Sequence, residues 1–385
     1  MGALPLHPPP ARARIIYVPS ADLLQELTQA QAPDSPAAVG SPNSSRRWLP
    51  RRVVFTPAAL AEAHGQAIRE RVEALGLPVE ILPRLTGLRG ADERETYRLG
   101  KSTLAVVTAP AGAFKLQPIP PSADWQFHLA EGCPAHCQYC YLAGSLSGPP
   151  VVRVFANLPA ILANLTQYLS ADRPETSFEV SCYTDPLGIE HLTGSLAECV
   201  RWFGAQGLDS PARLRWVSKF DAVEPLLGIA HGGRTRCRAS VNVPAVSRGL
   251  EGGTAPVAGR LAGLRRLATE AGYPVGLVVA PIMPVEGWEE QYGTLIDQAA
   301  EALHGAHDVT VELITHRFTP GSKEVLKGWY PKTTLDLDEE KRSRKFNKFG
   351  GVKYVYPRDI MGALRGFFER QLAAKLPQAR ILYWT

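Results

Sequence analysis

The chain has 385 residues, 45% of them hydrophobic, a formal net charge of +5 and six cysteines. No apolar run reaches the ~18 residues a membrane span requires, and the N-terminal prolines and arginines carry no apolar signal stretch, so no membrane segment and no secretory signal are expected. Six cysteines are too sparse at this length for a disulfide scaffold, which points to a reducing cytoplasm, and so mild a charge does not by itself indicate nucleic acid.

Residues 1 to about 50 are rich in Pro, Ala, Ser and Gln, offer at most one short helix near Ala21 to Gln29, and are expected to be a mostly disordered extension. Order is expected from the strand Arg52-Val53-Val54-Phe55. A helical pattern then runs from Pro57 to Leu75 and stops at Gly76 with Pro78 beyond it. A second strand is expected over Ser102 to Thr108, so residues 51–125 form a small α/β lead-in.

Cys133, Cys137 and Cys140 follow at C-x3-C-x2-C spacing, in Cys133-Pro134-Ala135-His136-Cys137-Gln138-Tyr139-Cys140-Tyr141. Three thiolates on one loop suit three irons of a cubane cluster and leave the fourth iron open to a small molecule. A zinc knuckle would need a fourth ligand, His136 or a distant residue, and the second C-x2-4-C or H-x3-5-H pair is missing.

Beyond the loop, short β-branched runs alternate with helical stretches. Strands are expected at Gln126–Leu129, Phe178–Cys182, Leu214–Ser218, Cys237–Val243, Val275–Ala280 and Val309–Ile314. Helices are expected near Leu158–Leu169, Leu192–Phe203, Val223–Ile229, Val257–Ala271 and Trp288–Leu303. Six β/α units joined by right-handed crossovers predict an α/β fold, a partial (β/α)6 TIM-like barrel over residues 126–320, with its site at the carboxyl ends of the strands.

Unusual residues do fall at those ends: Cys182 to Pro186, Ser218-Lys219, Ser240 with Asn242, and Ala280-Pro281. In Thr235 to Asn242 the period of two puts Arg236, Arg238, Ser240 and Asn242 on one face. That face lines either a solvated edge or a polar barrel interior, because periodicity does not say which way it points. Cys199 and Cys237 read as packing residues.

After Thr319 the repeat ends, and residues 321–385 are expected to be a C-terminal region of β-hairpin and helix. Lys341, Arg342, Arg344, Lys345, Lys348, Lys353 and Arg358 occur with no acidic residue among them, interleaved with Phe346, Phe349, Tyr354 and Tyr356. Gly350-Gly351 marks a turn, so Phe346 to Tyr356 reads as a hairpin. Cations with rings on a protruding turn fit nucleic-acid contact, with Lys345, Lys353 and Tyr354 as the candidate residues; the plainer reading is a solvated face.

The order of short motifs resembles the spore photoproduct lyase family of radical S-adenosylmethionine enzymes. They are Gly132-Cys133-x-x-His136-Cys137-x-Tyr139-Cys140-Tyr141-Leu142, Phe178-Glu179 through Cys182 to His191-Leu192, Val217-x-Lys219-Phe220 and Arg236-x-Arg238-x-Ser240-x-Asn242. Ala280-Pro281-Ile282, Glu286-Gly287-Trp288-Glu289, His316-Arg317-Phe318-Thr319, Tyr330-Pro331-Lys332-Thr333 and Gly351-x-Lys353-Tyr354 complete the set, from about residue 50 to the C-terminus.

The resemblance implies a [4Fe-4S] cluster on Cys133, Cys137 and Cys140, and S-adenosylmethionine near Tyr141, Thr184, Asp185, Lys219, Ser240 and Ala280. It implies a carbon-carbon lyase that repairs an ultraviolet thymine dimer in DNA, 5-thyminyl-5,6-dihydrothymine. Cys182 would be the hydrogen-atom donor, Tyr139 and Tyr141 the relay that recovers hydrogen from deoxyadenosine, and a flavodoxin or ferredoxin the electron donor. Two features depart from the family pattern: Tyr183 after the donor cysteine, bulkier than a small polar residue, and the N-terminal extension. The alternatives are a radical enzyme for another nucleic-acid or peptide substrate, and a cluster-containing DNA-binding protein without turnover.

Overall fold

Val53, Val54 and Phe55 are fully buried in the first strand, β1 (Arg52–Phe55), around which a small sheet assembles. β2 (Val79–Ile81) and β3 (Thr103–Val107) flank it, both parallel. The computed structural model describes residues 47–385 apart from 146–147, 171–172, 208–209 and 347–350. The expected extension and its helix near Ala21 to Gln29 therefore lie outside the described residues. The helical stretch after β1 is two helices, Pro57–Leu60 and Ala63–Ala74, rather than one. Gly65 explains the break: a Cβ there would run into the Ala59 carbonyl, so only glycine lets the second helix fold back this closely.

β4 (Gln117–Ile119) and β5 (Ala123–Phe127) lead to the two-residue strands β6 (Ala130–Glu131) and β7 (His136–Cys137), which flank the first cluster cysteine. β8 (Val152–Phe155) returns to the first sheet, whose order is β2-β1-β3-β8-β6. The cluster loop is thus anchored in the lead-in sheet, with a core of its own formed by Phe55, Ile68, Val72, Leu104, Val106 and Val154.

Six parallel strands make the partial barrel: β5, β9 (Thr176–Val180), β10 (Ala212–Ser218), β11 (Thr235–Val241), then, past the short β12 (Glu251–Gly252), β13 (Val275–Ile282) and β14 (Val309–Thr315). Each lies within about three residues of its expected place, because β-branched runs between amphipathic helices leave little freedom. Helices Leu158–Asn164, Ser195–Gly204, Val257–Thr269 and Trp288–Ala302 cover the outer face through Leu162, Val200, Leu264 and Ile296. The sheet is wider than six strands. β4 adds antiparallel to β5, and β17 (Ala379–Trp384) adds parallel to β14 at the other edge.

Between β14 and β17 lie the helix Pro320–Trp329, the hairpin β15 (Ser343–Phe346) and β16 (Val352–Val355), and the helix Arg358–Lys375. Sheet membership therefore crosses residue 125 in both directions, and β17 carries it across residue 321. No helix among the described residues is long and apolar enough to cross a membrane.

Candidate active site

The cluster loop leaves the lead-in sheet at Gly132, whose φ of 79° and contact with the Val151 carbonyl exclude a side chain. β7 pairs antiparallel with β12, setting Cys137 opposite Glu251, and Gln138 N–H donates to the Leu250 carbonyl at 2.8 Å. From the other side Lys101 Nζ donates to the Cys133 carbonyl at 2.6 Å and to the Ala135 carbonyl. His136 Nδ1 is bonded to Tyr97 Oη at 2.8 Å, and burial with the nearby Lys101 charge pushes its pKa down to about 4.

Burial pushes the Cys133 thiol up to about 11 and raises Cys137 as well, and all six cysteines are free. Among the described residues no three His, Cys, Asp or Glu side chains gather as ligands of one metal ion. A cubane asks for something else, one thiolate to each of three irons, and the donor set of this loop fits that group.

At the carboxyl ends of β9 and β10, Asp185 accepts from Ser218 Oγ and from Lys219 N–H, each at 2.7 Å, and from Gly188 N–H at 3.3 Å. Both its oxygens are thereby engaged, so Asp185 fastens one strand end to the next; burial raises its pKa. Lys219 Nζ then reaches across to Ser240 Oγ at 2.7 Å and lies 5.7 Å from the centre of the Tyr139 ring. Among the described residues Thr184 Oγ1 is buried without a partner, which leaves it available to a ligand. Ala280 precedes a cis Pro281 whose carbonyl accepts from Asn242 Nδ2 at 2.7 Å. These groups line a polar rim fit for the amine, carboxylate and hydroxyls of S-adenosylmethionine.

Cys182 follows Ser181, the one non-glycine among the described residues with positive φ, at 58°. Ser181 N–H donates to the Phe127 carbonyl and its Oγ accepts from Leu129 N–H, so two bonds to the β5 end hold the strained turn that aims Cys182. Tyr141 Oη donates to the Cys182 carbonyl. Tyr141 is 61% exposed. Tyr139 goes elsewhere: its hydroxyl donates to Glu251, which pairs with Arg260 at 2.6 Å. Only Tyr141 of the two is brought to Cys182. The bulky Tyr183 turns away and stacks on His128, with ring centres 4.6 Å apart.

The arginine face of β11 points inward at Arg238, which pairs with Glu179 and, at 2.7 Å, with Glu312. Arg215 joins the same carboxylates, and Tyr383 Oη donates to Glu312 at 2.6 Å. This buried layer is the floor beneath Cys182. Arg236, two residues nearer the amino end of the strand, pairs with Asp308 at 2.5 Å.

In the hairpin the strands begin at Ser343, three residues earlier than expected, and the turn residues Lys348, Phe349 and Gly350 lie outside the described residues. Lys345 stands directly opposite Lys353. Tyr354 is not a free aromatic: it is 5% exposed and stacks on Phe318, with ring centres 5.3 Å apart, because β16 is bridged to Phe318 through paired backbone bonds. Among the described hairpin residues the exposed ring is Phe346, at 66%.

Sequence reasoning missed Lys101, Tyr97, Ser181 and Glu251. A buried lysine and a left-handed serine leave no period in the sequence. Arg317, at the end of β14, was quoted only as part of a motif. It is exposed, makes no hydrogen bond or ion pair among the described residues, and contributes with Lys345 to lowering the Lys353 pKa, behind burial.

A six-unit parallel half-barrel, a three-thiol loop and a polar rim at the strand ends define a radical S-adenosylmethionine enzyme. The family model described as "Spore photoproduct lyase" matches residues 48–385. Spore photoproduct lyase of Bacillus subtilis is 38% identical over 344 residues, 88% of this chain and 99% of that protein, and that of a Geobacillus species is 39% identical over the same length and shares. Among solved structures, spore photoproduct lyase complexed with dinucleoside spore photoproduct aligns with a TM-score of 0.83 at 39% identity, covering 88% of this chain and all of that one. A mutant of spore photoproduct lyase with bound AdoMet and the same dinucleoside also scores 0.83. The chain belongs to the spore photoproduct lyase family. It is a radical S-adenosylmethionine lyase whose cofactors are a [4Fe-4S] cluster and S-adenosylmethionine, and the sequence-based expectations of fold, enzyme class and cofactors hold.

Proposed function

We propose that this chain repairs ultraviolet-damaged DNA by reversing 5-thyminyl-5,6-dihydrothymine to two thymines, with Cys182 as the hydrogen-atom donor. The relatives named spore photoproduct lyase, one of them complexed with the dinucleoside lesion, support the substrate. The observation that carries the residue roles is the bond from Tyr141, on the cluster loop, to the backbone of Cys182 at the end of β9.

In this reading Cys133, Cys137 and Cys140 hold the cluster, while Tyr141, Thr184, Lys219, Ser240 and the backbone at Ala280 surround S-adenosylmethionine, with Asp185 bracing Lys219. When bound, these cofactors supply a carbon radical able to take hydrogen from an unactivated position. Cys182 gives its S–H hydrogen to the thymine radical left after the bridge breaks, and becomes a thiyl. Tyr141 can return a hydrogen from its O–H, and burial keeps the Cys182 thiol protonated by raising its pKa. Tyr139, tied to Glu251, serves the rim more directly than the thiol.

Three cations at the barrel mouth support a phosphate-bearing substrate. Lys345 opposite Lys353 is a like-charge pair that a hairpin does not favour for its own stability, and Arg317 adds to the repulsion. Phosphate would relieve it. Phe346 supplies an exposed ring for wedging against bases. A small reducing protein such as a flavodoxin or ferredoxin would deliver the electron in the cytoplasm, consistent with six unpaired thiols.

The test is anaerobic incubation of the reconstituted protein with dinucleoside spore photoproduct, S-adenosylmethionine and a reductant, followed by product chromatography. Formation of the undamaged dinucleoside is expected. Turnover of S-adenosylmethionine with an untouched lesion would overturn the substrate assignment.

A further inference from the structure

Lys101 ends the helix Glu93–Lys101 and is only 7% exposed. Its ammonium donates to the Cys133 and Ala135 carbonyls, and its Nζ lies 5.8 Å from the centre of the Tyr97 ring. No carboxylate among the described residues pairs with it. Carbonyl dipoles and a ring face offset part of the cost of burying an ammonium, but a full counter-charge is missing. Among the described residues its only hydrogen-bond acceptors are two carbonyls of the loop that carries Cys133, so a counter-charge would have to come from that loop. Three thiolates with their irons would provide it. A cubane on three thiolates is anionic when oxidised and gains one more negative charge when reduced.

We infer that Lys101 is a positioning residue for the cluster loop and that its charge raises the cluster's reduction potential, favouring acceptance of the electron that starts the reaction. The inference rests on Cys133, Cys137 and Cys140 being the cluster ligands. The Lys101 side chain acts in two separable ways: its N–H groups fix the loop's carbonyls, and its charge biases the redox pair. Tyr97, one turn earlier on the same helix, bonds His136 at 2.8 Å and also Tyr330, so the loop keeps a second anchor when Lys101 is changed.

Two variants of the full chain separate these roles. Lys101→Gln keeps N–H donors and removes the charge, whereas Lys101→Arg keeps both. After anaerobic reconstitution, iron is counted and the midpoint potential is read by electron paramagnetic resonance during a redox titration, normalised to iron. For Gln, the ratio of reduced to oxidised cluster at a fixed potential is expected to fall about tenfold, a downward shift of about 59 mV for one electron. Arg should stay near the parental value.

An unchanged potential in an iron-replete Gln variant, or equal shifts in both variants, would overturn the inference. If Gln takes up no iron, the Arg variant decides: full uptake by Arg supports a role for the charge, and loss in both leaves Lys101 a loop brace only, against the inference. Failure of the parental chain itself to take up iron would instead sink the assignment of the three cysteines.

Discussion

At Cys182 a thiol has to keep its hydrogen until a radical needs it. Its pKa is raised, first by burial and then by the Glu179 carboxylate in the floor below. The sign follows directly: a raised thiol pKa extends the neutral form above the ordinary value of about 8.5. The proportion of clean repair to abnormal adducts should therefore stay flat from about pH 7 to about pH 9, read by product chromatography. A fall centred near the free-thiol value would show an ordinary, solvated cysteine. Cys182→Ala should retain the cluster and the first hydrogen abstraction, yield abnormal thymine adducts, and raise S-adenosylmethionine consumption per repair. Clean repair at the parental rate would make Cys182 a packing residue, like Cys199 and Cys237, which are buried in a helix and a strand.

Two elements carry the remaining chemistry, the cluster loop and the hairpin. Anaerobic reconstitution should give about four irons per chain, lost on Cys137→Ala, and stoichiometric zinc in place of iron would contradict the cubane. In the hairpin, Lys345→Glu with Lys353→Glu should weaken duplex binding and flatten its salt dependence, leaving S-adenosylmethionine affinity nearly unchanged. Phe346→Ala should impair repair of a lesion within a duplex more than of the free dinucleoside, because extrusion from the stack is needed only in the duplex. Equal losses on both substrates would confine Phe346 to the fold. Tyr354 makes a poor probe of this kind: truncating its buried ring on Phe318 should cost ~3–5 kcal/mol of stability and confound any binding measurement.

Across the whole molecule, the layer of Arg215, Arg238, Glu179, Glu312 and Tyr383 joins β9, β10, β11, β14 and β17 inside the barrel. Removing one member leaves a buried charge unbalanced, so Arg238→Met should lower unfolding free energy by ~3–5 kcal/mol in denaturant titration of the apoprotein. A loss below about 1 kcal/mol would mean that water reaches this layer. The six parallel strands and the three-thiol loop were legible in the sequence because both are local: β-branched runs between amphipathic helices, and ligands within eight residues. The strand-end positions of Cys182, Lys219 and Ser240 followed from that topology. What the sequence could not decide was direction and closure. Period two put Arg238 and Arg236 on one face, but only the curl of the sheet sends Arg238 into the floor and pairs Arg236 with Asp308. β17 joins β14 from some 65 residues away, Lys101 meets a loop more than 30 residues on, and Tyr354 finds Phe318 across a helix and a turn. Such contacts depend on long-range closure and desolvation, which only the packed chain specifies.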